Sequence, residues 1–142
     1  MSLLDANNRR KRQAETISEI IEKQERPNSK FVLVGDMNDP PDSEFLAPML
    51  TVDDQSLINA LEDPEETRDA KDETPGQGPG PQAKAWTHRF KSGLEFPKYE
   101  LLDQIWVSHA FANSFSNPMI DRRTKHGGDG SDYDPAWIDL EL

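Results

Sequence analysis

Phe31-Val32-Leu33-Val34-Gly35-Asp36-Met37-Asn38-Asp39 is the stretch on which the rest of the chain turns. Four apolar residues in succession, two of them β-branched, predict a short strand buried on both faces. Gly35 frees the backbone, and Asp36 and Asn38 follow at the strand's carboxyl end. In open α/β sheets that is the edge where ligands are held. An extended backbone sends side chains two apart to the same side, so Asp36 and Asn38 are expected to project together. A carboxylate beside a carboxamide suits a hard cation or a phosphate.

Upstream, residues 5–25 predict a helix. Ala14, Ile17, Ile20 and Ile21 fall at helical spacing, with Glu15, Glu19, Glu22 and Lys23 on the other side. Asp5, Asn7 or Asn8 is the expected cap, and Pro27 ends the helix. Arg9-Arg10-Lys11-Arg12 lies near the amino end, where the helix dipole disfavours cations. A solvated face is the preferred reading of this run over a phosphate contact.

Downstream, Pro40 and Pro41 break the chain. Asp42 or Ser43 then caps a short helix through Leu50, with Phe45, Leu46 and Met49 inward. Leu57, Ile58 and Leu61 suggest a short apolar turn. Residues 62–84 are acidic, then rich in proline and glycine, and predict a disordered loop. Residues 85–90 alternate as a strand, and 101–108 form a stronger one. Residues 113–120 hold a further strand or irregular chain, 124–131 a polar glycine-rich loop, and 135–142 a last alternating strand.

With 142 residues the chain is sized for one domain around one core. Its hydrophobic content, 34%, is low, and its net charge of −11 lacks the basic excess of a free nucleic-acid binder. Basic residues cluster only briefly, in Arg9-Arg10-Lys11-Arg12 and at Arg122, Arg123 and Lys125. The absence of cysteine excludes disulfides and thiolate metal sites. No run approaches a membrane span, and no apolar signal-peptide core opens the chain. Met1-Ser2-Leu3 resembles an expression leader.

Val32-Leu33-Val34-Gly35-Asp36-Met37-Asn38 resembles the Gly-Asp-x-Asn signature of the endonuclease/exonuclease/phosphatase family. Later stretches follow in that family's order. Arg12-Gln13-Ala14 is similar to its preceding helix, and Trp86-Thr87 to an aromatic-threonine strand. Leu102-Asp103-Gln104-Ile105-Trp106-Val107-Ser108 resembles its Leu-Asp-x-Ile-x-Val-Ser strand. Gly130-Ser131-Asp132-Tyr133-Asp134-Pro135 resembles its closing Ser-Asp-His-x-Pro. The resemblance implies roles by position. Asp36 orients or deprotonates the attacking water, and Asn38 holds a phosphate oxygen. Asp132 is a metal ligand, and Asp103 buttresses the family histidine. The implied cofactor is Mg2+ or Mn2+, which neutralises phosphoryl charge. The less favoured reading takes Asp36 and Asn38 as turn formers, and Asp132 and Asp134 as loop acids. Asp103 in an apolar strand demands a partner.

Two departures from the family pattern stand out. Tyr133 occupies the histidine position, and a phenol with a pKa near 10 is a poor acid/base group at neutral pH. His88, His109 and His126 are the available imidazoles; a structural or solvated role is preferred for each. The family's amino-terminal half is also absent. The implied fold is α/β (α+β): one mixed β-sheet layer with helices on its outer face, half of a four-layer α/β/β/α sandwich, spanning residues 4–142. The bared sheet face would carry Trp106, Trp137 or Phe90. It is expected to be covered by the missing half, by a second copy in a homodimer, or by the chain's own loop.

Three functions are weighed. The first is a fragment of a metal-dependent phosphoesterase, inactive alone, with Asp36, Asn38, Asp103 and Tyr133 at the catalytic positions. Its substrate is a phosphate ester: nucleic acid, sugar phosphate or lipid headgroup. The second is a non-catalytic binding or assembly module of the same descent. The third is a calcium site at Asp129, Asp132 and Asp134, although the loop lacks the glycine placement and distal glutamate of an EF-hand.

Overall fold

A computed structural model describes residues 2–24, 28–52, 54–67, 84–90, 98–122 and 133–142. Its one α-helix and small antiparallel and mixed β-ladders give the expected α+β class. The helix, α1 (Leu3–Gln24), starts two residues earlier than the periodicity suggests. Ser2 is the reason. Its hydroxyl accepts the Asp5 N–H at 3.2 Å, while the Asp5 carboxylate accepts the Ser2 hydroxyl at 2.7 Å, a reciprocal capping box.

Ala14 and Ile21 bury the inner stripe of α1, joined by half-buried Ile17. Ile20, expected on that stripe, is instead exposed. The seam follows 14, 17 and 21, and one hundred degrees of further rotation carries residue 20 off it.

The strand read first is β1 (Val32–Asp36). The others, in chain order, are β2 (Thr51–Val52), β3 (Gln55–Ser56), β4 (Ile58–Asn59), β5 (Glu65–Thr67), β6 (His88–Phe90), β7 (Lys98–Glu100), β8 (Asp103–Val107), β9 (Phe115–Asp121) and β10 (Ala136–Leu140). One three-stranded ladder runs β1-β8-β4, a second β10-β9-β5, and two-stranded ladders pair β2 with β3 and β6 with β7. The predicted single sheet layer is therefore divided into short ladders among the described residues. Glu65–Thr67 was expected to be loop. It pairs parallel to β9, and Thr67 Oγ1 donates to Asp121 Oδ1 at 2.6 Å.

Only one face of β1 is covered among the described residues, the face toward α1, so burial on both faces does not hold. Val34 is 63% exposed, whereas Leu33 packs toward α1. Beneath α1 lie Trp106, Val52 and Leu57 with Ile21, and Leu46 and Met49 with Ala14. Ala47–Met49 forms only a 3-10 turn where a short helix was expected; Pro48 sits in it, and Ser43 accepts the Phe45 N–H just upstream. Leu61, Leu101, Ile105, Val107, Phe111 and Ile120 form the other core cluster.

Trp106 corrects another expectation. It is buried on the helix side, and its indole N–H donates to Gln104 Oε1 at 2.9 Å. Phe90 and Trp137 are 50% and 39% exposed, with no cover for them among the described residues. Among the described residues no helix is long and apolar enough to cross a membrane.

Candidate functional site at the rim of β1 and β8

Antiparallel pairing sets Asp36 directly opposite Asp103 at the end of the β1–β8 ladder. The two acids are far apart in sequence and meet because the register is fixed by Val32↔Val107 through Gly35↔Gln104. Asn38 joins them by a different route from the one expected. The extended backbone stops at Asp36, and Asn38 takes φ 56°, a left-handed conformation that asparagine tolerates. Its N–H donates to Asp36 Oδ1 at 2.9 Å, closing an Asx turn. The turn keeps the pair together although it ends the strand.

Gly35 needs neither a positive φ nor a close approach. It sits within β1, and a Cβ there would meet nothing within 4 Å.

Tyr133 reaches the same rim. Its hydroxyl donates to Asp36 Oδ2 at 2.9 Å, so each Asp36 oxygen accepts a hydrogen bond. A β-bridge links Tyr133 to His88, and their rings lie 4.7 Å apart. Asp36, Asn38, Asp103 and Tyr133 are thus gathered at one place. Asp132 and His126 lie outside the described residues, as do residues 68–83 of the expected disordered loop.

Asp103 has its carboxyl pushed above the usual aspartate range, first by burial and then by the negative charge of Asp36. The positive charge of His88 acts the other way. His88, expected to be structural or solvated, is half-buried with its ring packed on Tyr133.

Two supporting residues were not legible as such. Thr87 is fully buried, and its hydroxyl accepts the N–H groups of Leu102 at 3.2 Å and Asp103 at 3.0 Å. Its carbonyl accepts the Asp134 N–H at 2.7 Å, so one residue positions the starts of both the Asp103 and Tyr133 segments. Gln104 donates to the carbonyls of Asp39 and Leu101 at 2.6 and 2.8 Å, tying the loop after β1 to β8. A carboxamide placed just before the apolar run Ile105-Trp106-Val107 was the available signal.

Behind Tyr133, Asp134 is 2% exposed and accepts from Arg122 Nη1 at 2.7 Å. Its Oδ2 is held by a guanidinium, which removes the calcium-loop reading for this residue; Asp129 lies outside the described residues.

Arg9, Lys11 and Arg12 are exposed, as a solvated face requires, and Arg10 is half-buried. α1 begins at Leu3, so the arginines stand beyond the first turn, where the dipole effect has faded. Arg9, Arg10 and Arg12 wall a groove of about 590 Å³ that also touches Asp36, Met37 and Asn38. Arg10 is anchored there, 3.4 Å from Asp39 and donating to Asn7 at 2.9 Å.

Among the described residues no three acidic, histidine or cysteine side chains converge on a point a metal ion could occupy. Asp36 and Asp103 do supply a like-charged carboxylate pair that a hard dication would relieve. Mg2+ is commonly held by one or two carboxylates plus substrate phosphate, so this donor set fits that ion.

Comparison with curated proteins and with solved structures returned no match. The sequence profile of the Endonuclease/Exonuclease/phosphatase family matches residues 3–132. Members act on phosphate esters and are generally dependent on a divalent metal. The match runs from the start of α1, through the Asp36 turn and β8, to the residue before Tyr133, and the chain belongs to the endonuclease/exonuclease/phosphatase family.

Proposed function

We propose that the chain is the carboxyl-terminal half of a metal-dependent phosphoesterase, with the Asp36–Asp103 rim as its share of the active site. The observation that carries this reading is the convergence of Asp36, Asn38, Asp103 and Tyr133 from three separate segments. In this reading Asp36 orients the attacking water and Asn38 presents its amide to a phosphoryl oxygen. Tyr133 locks the Asp36 carboxylate through its hydroxyl. His88 stacks on Tyr133 and completes the polar lining of the rim.

A bound Mg2+ or Mn2+ would supply charge neutralisation at the phosphoryl oxygens. Asp36 and Asp103 would hold it, with Asp132 by family position. The exposed Val34, Phe90 and Trp137 would meet the missing half, or a second copy of the chain.

Calorimetric titration with MnCl2, with and without inorganic phosphate, tests the reading. Phosphate is expected to tighten Mn2+ binding, and Asp36→Asn and Asp103→Asn are each expected to abolish the effect. Unchanged binding in both variants would sink the proposal. Hydrolysis of bis(4-nitrophenyl) phosphate by the isolated chain is expected at the background rate. A binding module of the same descent would show the titration result but gain no turnover from Tyr133→His, even when joined to an amino-terminal half.

A further inference from the structure

The site accounts for the acidic rim but not for the arginines beside it. The chain as a whole carries a net charge of −11. Its most concentrated cations nonetheless stand at the edge of the Asp36–Asn38 turn. Arg9 and Arg12, three residues apart on α1, lie on one side of the helix. Both are exposed, and among the described residues neither guanidinium forms an ion pair or hydrogen bond. Arg10 behaves differently, being held by Asp39 and Asn7. Lys11 does not line the groove. The floor between α1 and the loop is apolar, made by Ala14, Leu46 and Met49.

We propose that this groove is a second anion subsite: it takes a phosphate flanking the scissile one in a multiply phosphorylated substrate. The inference rests on the proposed function, because Asp36 and Asn38 line both the rim and the groove. A phosphoryl group seated against Asn38 would send its neighbour along α1, past Arg9 and Arg12. Guanidinium suits this task, since its planar fork meets phosphate oxygens two at a time and is weakly hydrated. The apolar floor suits the uncharged part of the ligand, and Arg10, neutralised by Asp39, holds the wall in place.

The test is equilibrium binding of a short oligothymidylate and of inorganic tripolyphosphate to the full chain, across a salt series. Arg9→Gln and Arg12→Gln are each expected to weaken binding about tenfold. The double variant is expected to lower the salt slope for the oligothymidylate by about 1.4, the value for two phosphate contacts on a single strand. Lys11→Gln makes the same charge change outside the groove and is expected to leave binding within about twofold. Arg→Lys at either position is expected to recover only part of the loss. Tighter binding of oligothymidylate assigns the subsite to a strand, and tighter binding of tripolyphosphate to a compact polyphosphate. Equal weakening by Lys11→Gln would overturn the subsite, leaving only general charge attraction. If the arginine variants bind normally while Asn38→Ala does not, the subsite falls and the rim stands. If neither probe binds at all, both fall.

Discussion

Arg122→Ala would take the cation out of a buried cluster. The Arg122 guanidinium donates to Asp134 at 2.7 Å, to Glu66 at 3.1 Å and to the Lys84 carbonyl at 2.8 Å. Its carbon lies 3.5 Å from the Trp86 ring centre, and side-chain exposures across the cluster are 7%, 9% and 2%. Two carboxylates at that depth cannot fall back on water. Removing the cation from a buried pair costs about 3–5 kcal/mol, a large share of the ~5–15 kcal/mol that keeps a domain folded. Urea unfolding is the assay, read as a shift in midpoint at constant slope. The triple variant Arg122→Met, Glu66→Gln, Asp134→Asn removes all three charges and keeps an unbranched side chain over Trp86. It is expected to regain most of the loss, because burial of uncompensated charge, not loss of volume, is the cause. A single-variant loss below about 1 kcal/mol would refute the reasoning, as would a triple variant no more stable than Arg122→Ala.

Thr87→Val keeps the shape but deletes the acceptor for two backbone N–H groups, and should cost about 1–3 kcal/mol in the same urea assay; a loss below about 0.5 kcal/mol would show that those groups find other partners. Asp103 is raised by burial and by Asp36, so it is protonated in both folded and unfolded chains below about pH 4. As pH rises toward its folded value the unfolded chain releases the proton first, and this group then lowers stability. Asp103→Asn should therefore gain on the parent between pH 4 and pH 7 in thermal melts, and a variant less stable than the parent at pH 7 contradicts this. Gly35→Ala meets open space, and the entropy it removes from the unfolded chain should leave stability equal or up to about 1 kcal/mol higher. A clear loss by calorimetry would mean the glycine serves a contact other than its own.

What could be read in advance followed the local physics. The β-branched and aromatic residues of 101–108 located β8, and the alternation in 135–142 located β10. Asp36 and Asp103 each stood out through a family-like motif, but their pairing did not, because it depends on the β1–β8 register. Val34 was misread because four apolar residues do not reveal that only the face of their strand toward α1 is covered among the described residues. β5 escaped notice since Glu65-Glu66-Thr67 carries no apolar pattern; its side chains work through polar pairs with Asp121 and Arg122. The Arg122 cluster joins β5, Lys84 and Asp134, and no spacing within one segment announces such a meeting. The groove beside the arginines was not legible, because the position of the loop opposite them depends on Gln104, sixty-five residues beyond Asp39.

The one-sided pairing of β1 has a kinetic signature. In an antiparallel ladder with a neighbour on one side, alternate amides point at the partner and the rest point away. Deuterium uptake along Val32–Asp36 should therefore run in a two-residue rhythm, slow toward β8 and fast on the outer side. That outer row is also where a guest strand would dock, so crowding this protein should slow the fast amides first and leave the slow ones unchanged.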